Sequence, residues 1–160
     1  MSAERPEWRE LDGGGLRIAI VCSRFNATIT DSLLAAAQAT LGELGVREDD
    51  IVVARVPGAF EVPVVAQHFA ASGAVDAVIA LGAVIRGETG HYDLIAETAA
   101  SGIARVALDS GVPVIFGVLA TDTVEQALAR SGGVLGNRGD EAAAGAVEMA
   151  RLMGTLGRDA

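Results

Sequence analysis

The stretch Ala77-Val78-Ile79-Ala80-Leu81-Gly82-Ala83-Val84-Ile85 decides the fold. It is apolar at every position, so it is a strand buried on both faces rather than one with a wet side. It is also far shorter than the roughly 20 apolar residues that a membrane-spanning helix needs, and Gly82 interrupts it. The segments Leu16–Cys22, Ile51–Val56 and Val112–Leu119 have the same near-continuous apolar character. Helical stretches separate them. Thr30 or Asp31 is placed to cap one that runs to Leu44 before Gly45, and a second spans Glu61–Ser72 with Pro63 in its first turn. A third spans His91–Ser110, and a short one opens on Asp122 and Glu125 and ends at Arg130. Ser131–Gly139 is Gly-rich and irregular, and Asp140 caps a last helix that reaches Leu156. Four βα units with right-handed crossovers give an α/β fold. The expected architecture is a three-layer α/β/α sandwich, flavodoxin-like, with a four-stranded parallel sheet of order 2-1-3-4. Residues 1–15, polar and ending in Asp12-Gly13-Gly14-Gly15, are expected to form an N-terminal arm, and residues 16–160 a single domain.

A length of 160 residues suits one domain. Mean hydropathy is +0.40, yet only 4% of residues are aromatic. The apolar excess therefore comes from Ala, Val, Ile and Leu. With no membrane span to absorb it, it points to a chain that covers itself with its own copies, a homo-oligomer. A net charge of −9 argues against nucleic acid, which needs a basic footprint. Glu4, Arg5, Glu7, Arg9 and Glu10 leave no apolar leader, and a lone Cys22 makes no internal disulfide, so a reducing, cytoplasmic setting is expected. All 12 basic residues are Arg. A lysine Schiff base is thereby excluded, and any imine must take its nitrogen from a substrate.

In open α/β sheets, ligands bind beyond the carboxyl ends of the strands. Those exits are Ser23–Asn26, Pro57–Glu61, Arg86–His91 and Ala120–Asp122. Phe25 and Phe60 both fall there, while Phe116 lies within the fourth strand. Each Phe alone reads as core; two together at strand ends suit stacking on a planar heterocycle. His91 opens the third helix, either as a cap or as a general base that returns its proton as an acid. Gly87-Glu88-Thr89-Gly90 is an ordinary turn or, with free N–H groups and a hydroxyl, a phosphate cradle. Arg130 is a helix-terminal cation or the counter-charge for that phosphate. Glu61 and Asp93 are possible proton-handling carboxylates, Glu61 alternatively complementing a helix dipole. His68, mid-helix, reads as a packed or solvated residue. No cluster has metal-ligand spacing, and no GxSxG elbow is present, so no metal is expected.

These segments resemble one family. Ser23-Arg24-Phe25-Asn26, Val56-Pro57-Gly58-Ala59-Phe60-Glu61-Val62-Pro63, Ala80 through Asp93 and Gly136-Asn137-Arg138-Gly139 are similar, in order and spacing, to 6,7-dimethyl-8-ribityllumazine synthases. The resemblance runs from about Leu16 to Leu152. It implies a transferase that condenses 5-amino-6-(D-ribitylamino)uracil with 3,4-dihydroxy-2-butanone 4-phosphate in riboflavin biosynthesis, without a cofactor. It further implies that Phe25 stacks on the pyrimidine, that Ala59, Phe60 and Glu61 line the pyrimidine and ribityl pocket, and that backbone groups of Ala83, Val84 and Ile85 meet the uracil edge. Glu88 and Thr89 take the phosphate-loop positions and His91 that of the proton donor. Phe116 and Arg130 match residues that reach the site from a neighbouring subunit, Arg130 on the phosphate. Ala83 stands where Thr is frequent, Glu88 where a neutral residue is usual, and Gly90 where Thr or Pro precedes the histidine. The family forms pentamers that stay free, pair as decamers or close into 60-subunit icosahedral capsids, with riboflavin synthase as a further partner. Two other readings fit the same scaffold: a riboflavin synthase that dismutates two lumazines, and a binder of flavin or lumazine without catalysis.

Overall fold

A computed structural model describes residues 10–159. The first nine residues of the expected arm lie outside the described part. Leu11 packs against the core, the Gly13 N–H donates to the Leu44 carbonyl, and Arg151 donates to the carbonyls of Asp12 and Gly14.

The sheet holds four parallel strands: β1 Ile18–Ser23, β2 Ile51–Val56, β3 Ala77–Ile85 and β4 Val114–Thr121, in the order β2-β1-β3-β4. The expected α/β sandwich and strand order are those observed. Alternate residues of each apolar run face opposite layers. Ile18, Ile20 and Cys22 of β1 join the core under α1 (Ala27–Glu43) and α5 (Arg138–Asp159). Ala19 and Val21 join a second core under α2 (Val62–Ala71) and α3 (His91–Ser110). Both β1 faces are fully buried, which explains why its sequence lacks alternation. Small residues set the helix spacing. A Cβ on Gly139 would strike the Leu33 carbonyl oxygen, so glycine is what lets α5 lie against α1. Gly111 ends α3 at φ 70°, in the left-handed region that favours glycine.

Several boundaries differ from expectation. Helix α1 begins at Ala27, not after Thr30 or Asp31. Asn26 turns the chain with φ 61° and ψ 53°, Thr30 is buried inside the helix, and Asp31 pairs with Arg55 at 2.9 Å. Strand β4 starts at Val114 because the Val112 N–H goes to the Ser110 hydroxyl and Pro113 has none; it continues to Thr121, paired with Ile85. The short helix α4 (Val124–Ala129) is capped by Thr123 with Gln126, not by Asp122 with Glu125. The Asp122 carboxylate is taken by Arg86. Ser131–Gly139 holds a small antiparallel hairpin, β5 (Ser131–Gly133) and β6 (Gly136–Asn137). Helix α5 starts at Arg138, where Asn137 Oδ1 accepts the Gly139 N–H at 2.8 Å and leaves Asp140 within the first turn. No helix among the described residues is long and apolar enough to cross a membrane.

Candidate active site

Strand lengths create a cleft at one end of the sheet. Strand β3 has nine residues, but β1 pairs only with Ala77–Leu81. Beyond that point β3 pairs with β4 alone, through Ala83↔Leu119, Val84↔Ala120 and Ile85↔Thr121. The β1 side of Ala83–Ile85 is therefore left without a strand partner, and the chain opens there into a cleft of about 600 Å³. The β1–α1, β2–α2 and β3–α3 junctions form its walls. Of the residues singled out from the sequence, Phe25, Ala59, Phe60, Glu61, Ala83, Val84, Ile85, Thr89 and His91 all line it.

The two phenylalanines are not core. Phe25 is 71% exposed and Phe60 55%. Leaving so much aromatic surface in water on one rim is the signature of a surface that expects a partner. Phe25 is held by its own N–H, which donates to the Pro57 carbonyl at 3.0 Å and so ties the β1 exit to the β2 exit. Ala59–Glu61 form one 3-10 turn before α2. The Glu61 carboxylate accepts the Gly58 N–H at 3.0 Å, which leaves its other lone pairs to the cleft. His91 is the first residue of α3, exposed, and its N–H donates to Thr89 Oγ1 at 3.3 Å. Glu88 is exposed in the same loop and is not among the cleft's lining residues. Asp93 is not among the cleft's lining residues and is paired with Arg86 at 3.5 Å. The Arg86 guanidinium is held above its ordinary pKa, first by its hydrogen bond to Asp122 and then by the nearby carboxylate charge.

Phe116 and Arg130 lie elsewhere. Together with Arg138 and Glu141 they line a second cleft of about 370 Å³ along the β4 edge, on the far side of the sheet order from β1 and β2. Phe116 is 51% exposed. Arg130 Nη1 donates to the Gln126 carbonyl at 2.9 Å, so it does bind the end of α4, as the simpler of its two readings expected. Around this edge, Val124, Leu128, Val134 and Leu135 are also exposed. Exposed His68 meets the Phe69 ring edge-on on α2, away from both clefts. Burial pushes the Cys22 thiol up to about 11. It is thus a protonated core group and no nucleophile. Among the described residues, no group of three or more His, Cys, Asp or Glu is disposed to hold a metal ion.

The family model for 6,7-dimethyl-8-ribityllumazine synthase matches residues 15–154. The chain belongs to this family. As a lumazine synthase family member it is a transferase of riboflavin biosynthesis, and the match spans all four strands of the sheet and every candidate position in both clefts.

Within this lumazine synthase scaffold, three candidate residues were not singled out from the sequence. Asn26 lines the first cleft and its Nδ2 donates to the Ala83 carbonyl at 3.1 Å, joining the loop that carries Phe25 to the open edge of β3. The available signal was its residue type, since Asn tolerates the left-handed conformation at a strand-to-helix turn. Arg138 and Glu141, paired one turn apart at the start of α5, line the second cleft. Arg138 stands in the sequence within the Gly136–Gly139 motif with no role of its own, and an i,i+3 spacing to Glu141 signals only a helix-turn pair.

Proposed function

We propose that this chain condenses 5-amino-6-(D-ribitylamino)uracil with 3,4-dihydroxy-2-butanone 4-phosphate to give 6,7-dimethyl-8-ribityllumazine, phosphate and water. The observation that carries this reading is the first cleft. It gathers two exposed phenylalanines, a β3 backbone open on one side, a carboxylate and a histidine at one sheet end. Phe25 stacks on the pyrimidine, and Ala83, Val84 and Ile85 offer main-chain groups to its edge. Ala59, Phe60 and Glu61 flank the ribityl chain, with the Glu61 carboxylate accepting hydroxyl protons. The amine of the pyrimidine attacks the ketone carbonyl, and water leaves as the imine forms. His91 carries protons between nitrogen, oxygen and carbon during imine formation and tautomerisation. Thr89 and the amides around Glu88 hold the phosphate until elimination, after which the ribitylamino nitrogen attacks the remaining carbonyl and a second water leaves as the ring closes to the lumazine. With no lysine in the chain, the imine nitrogen comes from the substrate. Holding two substrates in register supplies several kcal/mol of the barrier reduction.

The first cleft contains no arginine, although the second substrate is a dianion. The second cleft has Arg130 and Phe116 beside exposed apolar surface. In this reading, Phe116 and Arg130 of one copy complete the first cleft of the next, in a pentamer or a larger shell. A cytoplasmic setting, and riboflavin synthase as the consumer of the product, follow from the same reading.

A steady-state assay with both substrates tests the proposal. Lumazine and phosphate are expected to form together, and only when both substrates are present. Riboflavin made from lumazine alone would indicate the dismutase, and tight lumazine binding without turnover would indicate a carrier; either overturns the proposal.

A further inference from the structure

The loop that carries the candidate phosphate and proton-transfer groups has little of its own to hold it. Gly87, Glu88, Thr89 and Gly90 are all exposed. A Cβ at Gly87 or Gly90 would meet nothing within 4 Å, so no neighbour packs on these positions. The bond that opens α3, from the Leu94 N–H to the Gly90 carbonyl, is long at 3.4 Å. A site that binds a dianion and shuttles protons needs a fixed loop.

Arg86, the last residue before the loop, makes contacts that cross it. Its Nε donates to Asp122 Oδ1 at 2.8 Å, beyond the end of β4. Its Nη1 lies 3.5 Å from Asp93 Oδ1, in the first turn of α3. The guanidinium carbon sits 4.2 Å from the centroid of the Tyr92 ring, and Tyr92 lines the first cleft. Its own N–H donates to the Thr121 carbonyl at 2.9 Å. One side chain thus joins both ends of the loop and fastens them to the neighbouring strand.

We propose that Arg86 is a positioning residue: a staple across the base of the 87–90 loop that fixes Thr89 and His91 at the cleft. It is not an anion ligand, because two carboxylates already claim its charge. The chemistry calls for arginine. A planar guanidinium can lie on a ring face while its edge donates in two directions, which an ammonium cannot do. The pairs are exposed, so they contribute little to global stability, and the effect of losing them is local order.

This inference rests on the roles proposed above for Thr89 and His91, and its test has one arm that does not. Arg86→Gln, Arg86→Lys and Asp122→Asn would be compared with the unaltered protein by steady-state kinetics and by hydrogen–deuterium exchange. Arg86→Gln is expected to lower kcat about tenfold and to raise KM for the butanone phosphate, with the pyrimidine KM within about twofold. Asp122→Asn is expected to act in the same direction, and Arg86→Lys not to restore the loss. Exchange at 87–91 is expected to rise several-fold in Arg86→Gln while the interiors of β3 and α3 keep their protection. Unchanged exchange in the loop would overturn the staple. So would an Asp122→Asn protein that binds the butanone phosphate more tightly, since that would make Arg86 a ligand freed from its partner. If the unaltered protein makes no lumazine, the functional reading fails on its own, and the exchange experiment still decides whether Arg86 staples the loop.

Discussion

The two clefts that hold the candidate residues are built from the same sheet but differ in what they lack. The first, at the ends of β1, β2 and β3, has an aromatic rim, an open backbone edge, a carboxylate and a histidine, but no cation of its own. The second, along β4, has Arg130, Arg138 and Phe116, with no histidine. Exposed Val134 and Leu135 stand at the tip of the hairpin beside it, Val134 at 94%. Each cleft holds what the other is missing. In the proposed reading, part of the apolar surface behind a mean hydropathy of +0.40 stands at this edge and is covered by another copy.

The largest expected effect separates chemistry from binding in the first cleft. His91→Ala is expected to lower turnover by about 10²-fold, the scale of general acid–base catalysis, with both KM values nearly unchanged. Steady-state kinetics checks this, and full turnover would remove His91 from the mechanism. A smaller effect, specific to one substrate, is expected from the second cleft. Arg130→Ala should raise KM for the butanone phosphate roughly tenfold or more, the scale of a lost charge-assisted hydrogen bond, and leave the pyrimidine KM alone. Equal changes for both substrates would break the assignment of the cation to the phosphate.

The smallest expected effect lies in the core beneath both clefts. With its thiol raised from 9.0 to about 11 by burial, Cys22 should resist thiol reagents in the native protein at neutral pH and react on unfolding. The sign of its pH dependence follows from linkage. Between about pH 9 and 11 the unfolded chain releases this proton and the native chain keeps it, so stability falls as pH rises through that window. Cys22→Ala should flatten that part of the stability profile. Rapid labelling of the native protein at neutral pH would show that the thiol is not sequestered.

The same contrast explains what could be read from the sequence. Strand β2 and helix α3 have the expected boundaries, because a mostly apolar run that ends at Pro57-Gly58 and a Gly111 stop are local signals. The first cleft was legible for the same reason: its groups sit on strand exits, and the topology of a parallel sheet brings strand exits together. What escaped depends on contacts distant in sequence. Asn26 turns the chain and reaches Ala83, 57 positions away. Asp31 and Asp122 read as caps, but Arg55 and Arg86 take them as ion-pair partners. The hairpin in Ser131–Gly139 has too few residues for a periodic signal. Composition pointed to self-association, but the exposed apolar residues beside β4 come into view only in the fold.

The central claim is that the two clefts are halves of one site, supplied by two copies of the chain. Mixing His91→Ala and Arg130→Ala proteins, with subunit exchange verified by mass spectrometry, tests it most directly. A site drawn from two copies would regain both residues in about a quarter of cases in an equal mixture. With butanone phosphate well below its KM, where both variants are slow, lumazine formation is therefore predicted to recover to about a quarter of the unaltered rate, well above either variant alone. Activity no higher than the average of the two variants, with exchange complete, would contradict the account and place both residues in the service of a single-chain site.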